Sequence, residues 1–513
     1  MSEPAHETTI HWITWGVFAV FFALVTVLGF IAARWKRADL DQLHEWGLGG
    51  RRFGTLISWF LIGGDLYTAY TVVAVPALVF AAGAYGFFAM PYTIIAYPFM
   101  FAVLPRLWNV CRRHGWLTTA DFVEGRYGSH WLALAVALTS VLATMPYIAL
   151  QLVGMQVVFQ AMGFGGLHEG AEIALVVAFV VLALYTYTSG LRAPAMIAFV
   201  KDIMIYVFVI AAVIVIPARL GGYGAVFAAA DAAFTAKGGA TGLVLQPGQQ
   251  VAFATLALGS AFALFLYPHS ATGLLAASSA NVIRRNAFLL PAYSAALCLI
   301  ALMGYMAIAA HIPASGTAVV PALILASFPE WFAGFCFAAI ALGALVPAAI
   351  MSIGAANLVT RNIWRPYVNG KMTARQESTV AKVTSLAVKF GALVFVVFLP
   401  MEYAINLQLL GGIWILQIFP AVVFGLFTRW FRSGALLAGW AVGMVLGTTL
   451  CALQGVKPVY PLPGVGTVYI GLIALTANIA IAALGTWLFG IGGAARAGDV
   501  TTTTDYADAV DAQ

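Results

Sequence analysis

Charge is what this sequence has least of. Asp, Glu, Lys and Arg make up 9% of its 513 residues, against about 25% in a typical soluble domain. A chain so poor in charge cannot coat a soluble surface, which implies an integral membrane protein. Cysteine is equally scarce. Cys111, Cys298, Cys336 and Cys451 stand far apart, with neither metal-ligand nor disulfide spacing. Buried ionisable residues are too few for the nucleophile, metal site or acid pair of a membrane enzyme, so no catalytic residue and no cofactor is expected. The net charge of +6 is spread over the segments between apolar runs and forms no patch. That argues against a nucleic-acid partner. The alternating strands of a membrane barrel are missing. The first apolar run follows Glu3 and Glu7 instead of a basic segment, and it is too long for a signal-peptide core.

Hydrophobic residues supply 62% of the chain, in runs of about 20 residues or more, the length of a membrane-crossing helix. Thirteen spans are predicted, at about 10–33, 55–83, 87–105, 131–161, 170–189, 195–217, 250–272, 286–311, 331–359, 380–400, 403–428, 434–454 and 466–490. An odd number puts the termini on opposite sides. In this arrangement 21 of the 25 Lys and Arg fall on one side, Arg219, Lys237 and Lys457 fall on the other, and Lys389 lies within a span. The positive-inside rule then sets the N-terminus outside and the C-terminus in the cytoplasm. Lys389 is expected to snorkel to the cytoplasmic interface. Residues 491–513 are small and polar, and read as a disordered cytoplasmic tail with no soluble domain.

Two spans are interrupted. The second carries Gly63, Gly64 and Asp65 near its middle. Glycine weakens a helix, and a carboxylate at that depth costs at least about 2.5–3.5 kcal/mol unless it faces protein or water. A broken helix with an ionisable group at mid-membrane is the usual footing of a transporter site. The plainer alternative is a kinked span whose Asp caps its own second half. The seventh span contains Tyr267, Pro268, His269 and Ser270, where proline removes a backbone donor and clashes with the preceding turn. With the first span set aside, spans 2–6 and 7–11 form two groups of five. Each begins with an interrupted helix, as an inverted repeat requires.

Several stretches resemble one known family along nearly the whole chain. They are GRRFG at 50–54, VPALVFAAG at 75–83, LTTADFVEGRYG at 117–128, GLRAPAMIAFVKD at 190–202, PHSATGLLAASSANVIRR at 268–285 and PAVVFGLFTRWFRSGALLAGWAVG at 420–443. Together they resemble the sodium:solute symporter family. The wording of 57–79 is most similar to its bacterial monocarboxylate uptake permeases. The resemblance implies an all-α, leucine-transporter-like fold with a 5+5 inverted repeat and two discontinuous helices. A flanking helix would occupy 1–34, the repeats 50–217 and 250–428, and two further helices 434–490. It implies alternating-access import of a small organic anion across the bacterial inner membrane, coupled to Na+ or H+, with a monomer in the lipid bilayer as the functional unit. Acetate, propionate, pyruvate and lactate all suit such a site. A small amino acid or other organic solute stays open as substrate, and so does a transporter-like membrane sensor.

The resemblance also implies where the sites lie. A cation site would draw carbonyls from Gly64 and Tyr67, a carbonyl from Ala349 and a hydroxyl from Ser352, with Asp65 beside them. The second hydroxyl position of that pattern is Ile353 here, and isoleucine cannot ligate sodium. This weakens sodium and favours a proton, with Asp65 and His269 as the titratable pair. The other reading of Ser352 is a hydroxyl bonded to its own helix backbone. Asp202 matches a family aspartate on the cation exit path, or else it is a helix-end charge beside Lys201. Substrate would meet Tyr67, Thr68, Tyr92, Tyr267, His269, Trp414 and Gln417, with helix N-terminal amides suited to a carboxylate.

Overall fold

The computed structural model describes residues 11–35, 39–68, 70–164, 168–398, 409–491 and 498–508. Among them, nine helices are long and apolar enough to cross a membrane, or ten if one sharply bent pair is a single span. The predicted stretch 399–408, around the start of the eleventh span, lies largely outside the described residues.

The helix Glu330–Leu358 is the axis of the molecule. Every residue from Cys336 to Leu358 is buried. The helices Trp12–Ile31, His130–Phe159, Arg192–Arg219, Ala374–Phe398 and Pro268–Leu275 all pack on it. Its wealth of Ala and Gly explains this. Lipid offers no hydrophobic drive for helices to associate, so close backbone approach at small residues must supply the packing. A Cβ on Gly334 would come within 2.5 Å of the Thr14 carbonyl, and one on Gly354 within 2.8 Å of the Pro268 backbone. Glycine at these two positions therefore decides where the first helix and the second break rest.

Both predicted interruptions are real. The helix Thr55–Gly64 stops at Asp65, and the chain resumes helical form at Tyr70–Ala74 as a wide π turn before Val75–Ala82. The helix Gln250–Leu264 ends before Tyr267, whose backbone is extended, and Pro268–Leu275 follows at a 50° bend. Proline at the first position of the new helix needs no donor there. A short hairpin, Val459–Leu462 with Gly466–Tyr469, precedes the helix Ile470–Ile491. The Tyr469 amide donates to the Thr255 hydroxyl at 3.0 Å, so the hairpin rests on the helix leading into the second break.

The disordered tail is corrected by the structure for residues 498–508, which dock against basic loops and helix ends. Asp499 meets Arg126 and, at 3.4 Å, Arg429. Asp505 lies 3.0 Å from His114, and Asp508 accepts from Arg284 at 2.9 and 3.0 Å and from Asn109 at 3.1 Å. Tyr506 is buried, and its hydroxyl donates to Thr501. Composition alone indicated disorder because the partner of these carboxylates is the protein's own excess of cations. Burial would raise the Asp505 carboxyl, but Thr502 and His114 hold it down at about 2. Its share of the docking is therefore complete above the ordinary value of 3.8 and is lost only as pH falls through about 2. Replacing Tyr506 by Ala together with Asp508→Asn is expected to speed backbone deuterium exchange across 498–508 by about tenfold, equivalent to about 1.4 kcal/mol. Exchange in the helix Ala89–His114 should stay as it was. Mass-spectrometric exchange checks both, and an unchanged tail would count against docking.

Candidate transport site

At the first break the backbone is satisfied piece by piece. The Leu66 amide turns back to the Gly63 carbonyl at 2.9 Å, the Thr71 hydroxyl takes the Leu66 carbonyl, and the Val72 amide takes the Thr68 carbonyl at 3.1 Å. Among the described residues no helix amide bonds the carbonyl of Gly64 or Tyr67. Both receive the Lys201 ammonium, at 2.6 Å from Gly64 and 3.4 Å from Tyr67. The two glycines do more than loosen the helix. A Cβ on Gly63 would lie 2.2 Å from the Tyr293 ring, and one on Gly64 only 2.9 Å from the Asp202 carboxylate.

Asp65 joins the two breaks. Its Oδ2 accepts from the Ser270 hydroxyl at 3.2 Å and lies 3.5 Å from His269 Nε2. All three side chains are buried. Asp65 Oδ1 and His269 Nδ1 have no hydrogen-bond partner among the described residues. Buried polar atoms without partners are costly, so this crossing is unsatisfied and suited to a proton, an ion or a ligand. Beside it the rings of Tyr147, Tyr267 and His269 form an aromatic cluster with centroids 5.3 to 5.5 Å apart. Tyr267 also lines a small cavity, shared with Tyr92, Tyr147, Ser260, Gly412 and Tyr469. The buried Tyr267 hydroxyl likewise has no partner among the described residues.

The remaining predicted residues go elsewhere. Tyr67 turns its ring onto Tyr293 and Tyr206 and donates its hydroxyl to the Tyr293 carbonyl at 3.2 Å, away from the cavity. Thr68 is buried and accepts from the Thr71 amide at 3.4 Å, helping the helix restart. Trp414 donates to the Thr448 hydroxyl. Gln417 bonds the Ile413 carbonyl and Asn478, towards the last helix. Both side chains are drawn to those flanking helices by polar partners that spacing does not reveal. Ser352 donates to the Ala349 carbonyl at 2.8 Å, so the backbone-bonded reading describes it. Lys389 does not snorkel. It is buried and donates to Ser385 at 2.9 Å, and Ser385 bonds Ser352 at 3.1 Å. The Ser385 hydroxyl, four residues earlier on the same helix, is the partner that holds its amine inside the protein. Asp202 is no helix-end charge. It lies ten residues into Arg192–Arg219, fully buried, 2.9 Å from Lys201 Nζ, and accepts from Tyr293 at 2.7 Å.

The sequence reading missed Tyr147, Ser270, Tyr293 and the position of Lys201. One signal was available for Lys201: it lay inside the predicted sixth span although it was counted with the loops.

Solved structures share this architecture across nearly the whole chain. One is described as the substrate-bound outward-open state of a Na+-coupled sialic acid symporter. It aligns with a TM-score of 0.77, 15% identity, and coverage of 93% of this chain and 98% of that one. A nucleobase-cation-symport-1 family transporter in a closed conformation gives 0.51 at 11% identity, over 87% and 94%. At such identities the likeness defines the class alone, a helical membrane transporter fold. Sequence defines the family. The sodium:solute symporter family model matches residues 46–443, and the chain belongs to that family. It is similar to a protein of Rhizobium johnstonii named "Monocarboxylate transport permease protein", with 59% identity over 93% of this chain and 96% of the relative. It is also 34% identical to the "Uncharacterized symporter YodF" of Bacillus subtilis, over 86% and 88%. Both relatives are transporters by name.

Steric demand at Gly63 is directly measurable. Gly63→Ala is expected to lower the thermal midpoint in detergent, by an amount worth about 1–3 kcal/mol of overpacking. Gly54→Ala, where a Cβ meets nothing within 4 Å, should leave the midpoint in place.

Proposed function

We propose that this protein is a secondary active symporter that imports a small monocarboxylate, of the acetate, propionate, pyruvate or lactate type, by alternating access. A gradient of Na+ or H+ drives it across the bacterial inner membrane. The reading includes thirteen spans, N-terminus outside, and a 5+5 inverted repeat headed by the two breaks. The observation that carries it is the meeting of those breaks at Asp65, His269 and Ser270. A buried carboxylate shared between two discontinuous helices changes its surroundings whenever one helix moves against the other. The Rhizobium relative, at 59% identity, supports the monocarboxylate.

In this reading the substrate anion sits in the cavity against Tyr92 and Tyr267. The Tyr267 hydroxyl donates to it. Asp65 carries the coupling cation or proton. His269 and Ser270 hold the carboxylate at the point where both helices can reach it.

Full-length protein in proteoliposomes tests this with radiolabelled acetate, propionate, pyruvate and lactate, and alanine for comparison. A tenfold inward gradient of the coupling ion should give roughly tenfold accumulation of one monocarboxylate at one-to-one coupling. Beyond the uptake of protein-free liposomes, into which uncharged acetic and propionic acid pass unaided, the other ion's gradient should give none. Uptake driven equally by both gradients, or by neither, would overturn symport. Asp65→Asn is expected to abolish the response to the ion gradient. A variant that stays fully gradient-dependent would remove Asp65 from the coupling role.

A further inference from the structure

We propose that the ammonium of Lys201 is a tethered cation occupying the carbonyl position of the first break, where the family pattern expects free sodium. The locus built from Gly64 and Tyr67 then takes no sodium ion of its own.

Three observations converge on this. The first is coordination. Lys201 Nζ donates to the Gly64 carbonyl at 2.6 Å, lies 3.4 Å from the Tyr67 carbonyl and pairs with Asp202 Oδ1 at 2.9 Å. An ammonium has three donors, and three oxygens surround it. Two of them are the carbonyls at the break, for which no helix amide is found among the described residues. Lys201 and Asp202 are both 0% exposed, and the Tyr293 hydroxyl fixes the far carboxylate oxygen at 2.7 Å.

The second is that the other half of a sodium site is not assembled. Ile353 stands at the second hydroxyl position. The Ser352 hydroxyl bonds Ala349 and Ser385, and Ser385 accepts from Lys389. A Cβ on Gly343 would lie 3.5 Å from the Tyr67 carbonyl. Ala349 and Ser352 lie further along the same helix, about 9 and 13 Å at 1.5 Å per residue.

The third is electrostatic. Sodium touching these carbonyls would sit beside an ammonium in a low-dielectric interior, where like charges repel strongly. Asp202 is already matched by Lys201. The other buried carboxylate among the described residues at the break is Asp65, which faces His269 and not the Lys201 ammonium. The absence of a side chain at Gly64 is what admits the Lys201 ammonium to this backbone.

The test is sodium binding by purified full-length protein in detergent. It is read as bound 22Na+ and as the shift of the melting midpoint in sodium chloride against choline chloride. Lys201→Ala is expected to gain roughly one sodium per chain over wild type, held by Asp202 and the two carbonyls, with a sodium-dependent rise in midpoint. Lys201→Ala with Asp202→Asn should lose that gain. If Lys201→Ala does not fold, Lys201→Met keeps the stem and the packing volume and takes its place. A folded variant that binds no more sodium than wild type overturns the proposal, because a plain counter-ion or a non-binding locus gives that result. The assignment rests on the symport reading only for its interest in coupling. Binding is read without uptake, so failure of either proposal leaves the other standing.

Discussion

A helix that breaks inside a membrane exposes carbonyls and amides that lipid cannot satisfy, so other parts of the protein must reach them. At the first break this requirement organises a closed set of contacts. Gly64 lacks a side chain, so Lys201 and Asp202 come within reach of its backbone. Lys201 caps the Gly64 carbonyl, and Asp202 holds Lys201 and takes the Tyr293 hydroxyl. The Tyr293 ring then lies flush on Gly63, and its carbonyl takes the Tyr67 hydroxyl, which returns the circuit to the broken segment. Each member is bulky or charged and would be costly alone. Together they bind the helices Arg192–Arg219 and Pro291–Ala309 to the break.

Two buried carboxylates near this break have opposite status. Asp202 is matched by an ammonium and a phenol, which offsets much of the penalty for burying its charge. Among the described residues Asp65 has a serine hydroxyl and a histidine at 3.5 Å, with one oxygen left over. Stability is served by the first arrangement and chemistry by the second. The aromatic cluster of Tyr147, Tyr267 and His269 adds an apolar wall to the open side. A small organic anion would find there both a donor and dry surroundings.

Features of the fold that depend on composition were legible in the sequence. Apolar runs located the helices, and Gly63-Gly64-Asp65 and Tyr267-Pro268-His269 located the breaks, because glycine and proline act on their own backbone. The meeting of Asp65 with His269 followed from pairing the two interruptions. Partners fixed by long-range packing were not legible. Trp414 and Gln417 were assigned by helix position, yet Thr448 and Asn478 on the last two helices turned them away. Ser385 stands four residues before Lys389 on the same helix and was open to a reading by spacing, whereas the carbonyl partners of Lys201 become visible only when separate helices are brought together. The tail misled for the same reason: its partners are spread over four distant segments.

Those four segments are held by one short cord. Asp499 is fixed to Arg126 and Arg429, and Asp508 to Arg284 and Asn109. The nine chain steps from Asp499 to Asp508 reach at most about 30–32 Å when drawn straight, and the turn Thr503–Tyr506 keeps them shorter than that. Movement that parts the two anchor points therefore draws first on the slack coiled in this turn. Beyond that limit an anchor must let go, so the cord sets a mechanical stop on how far this face can open.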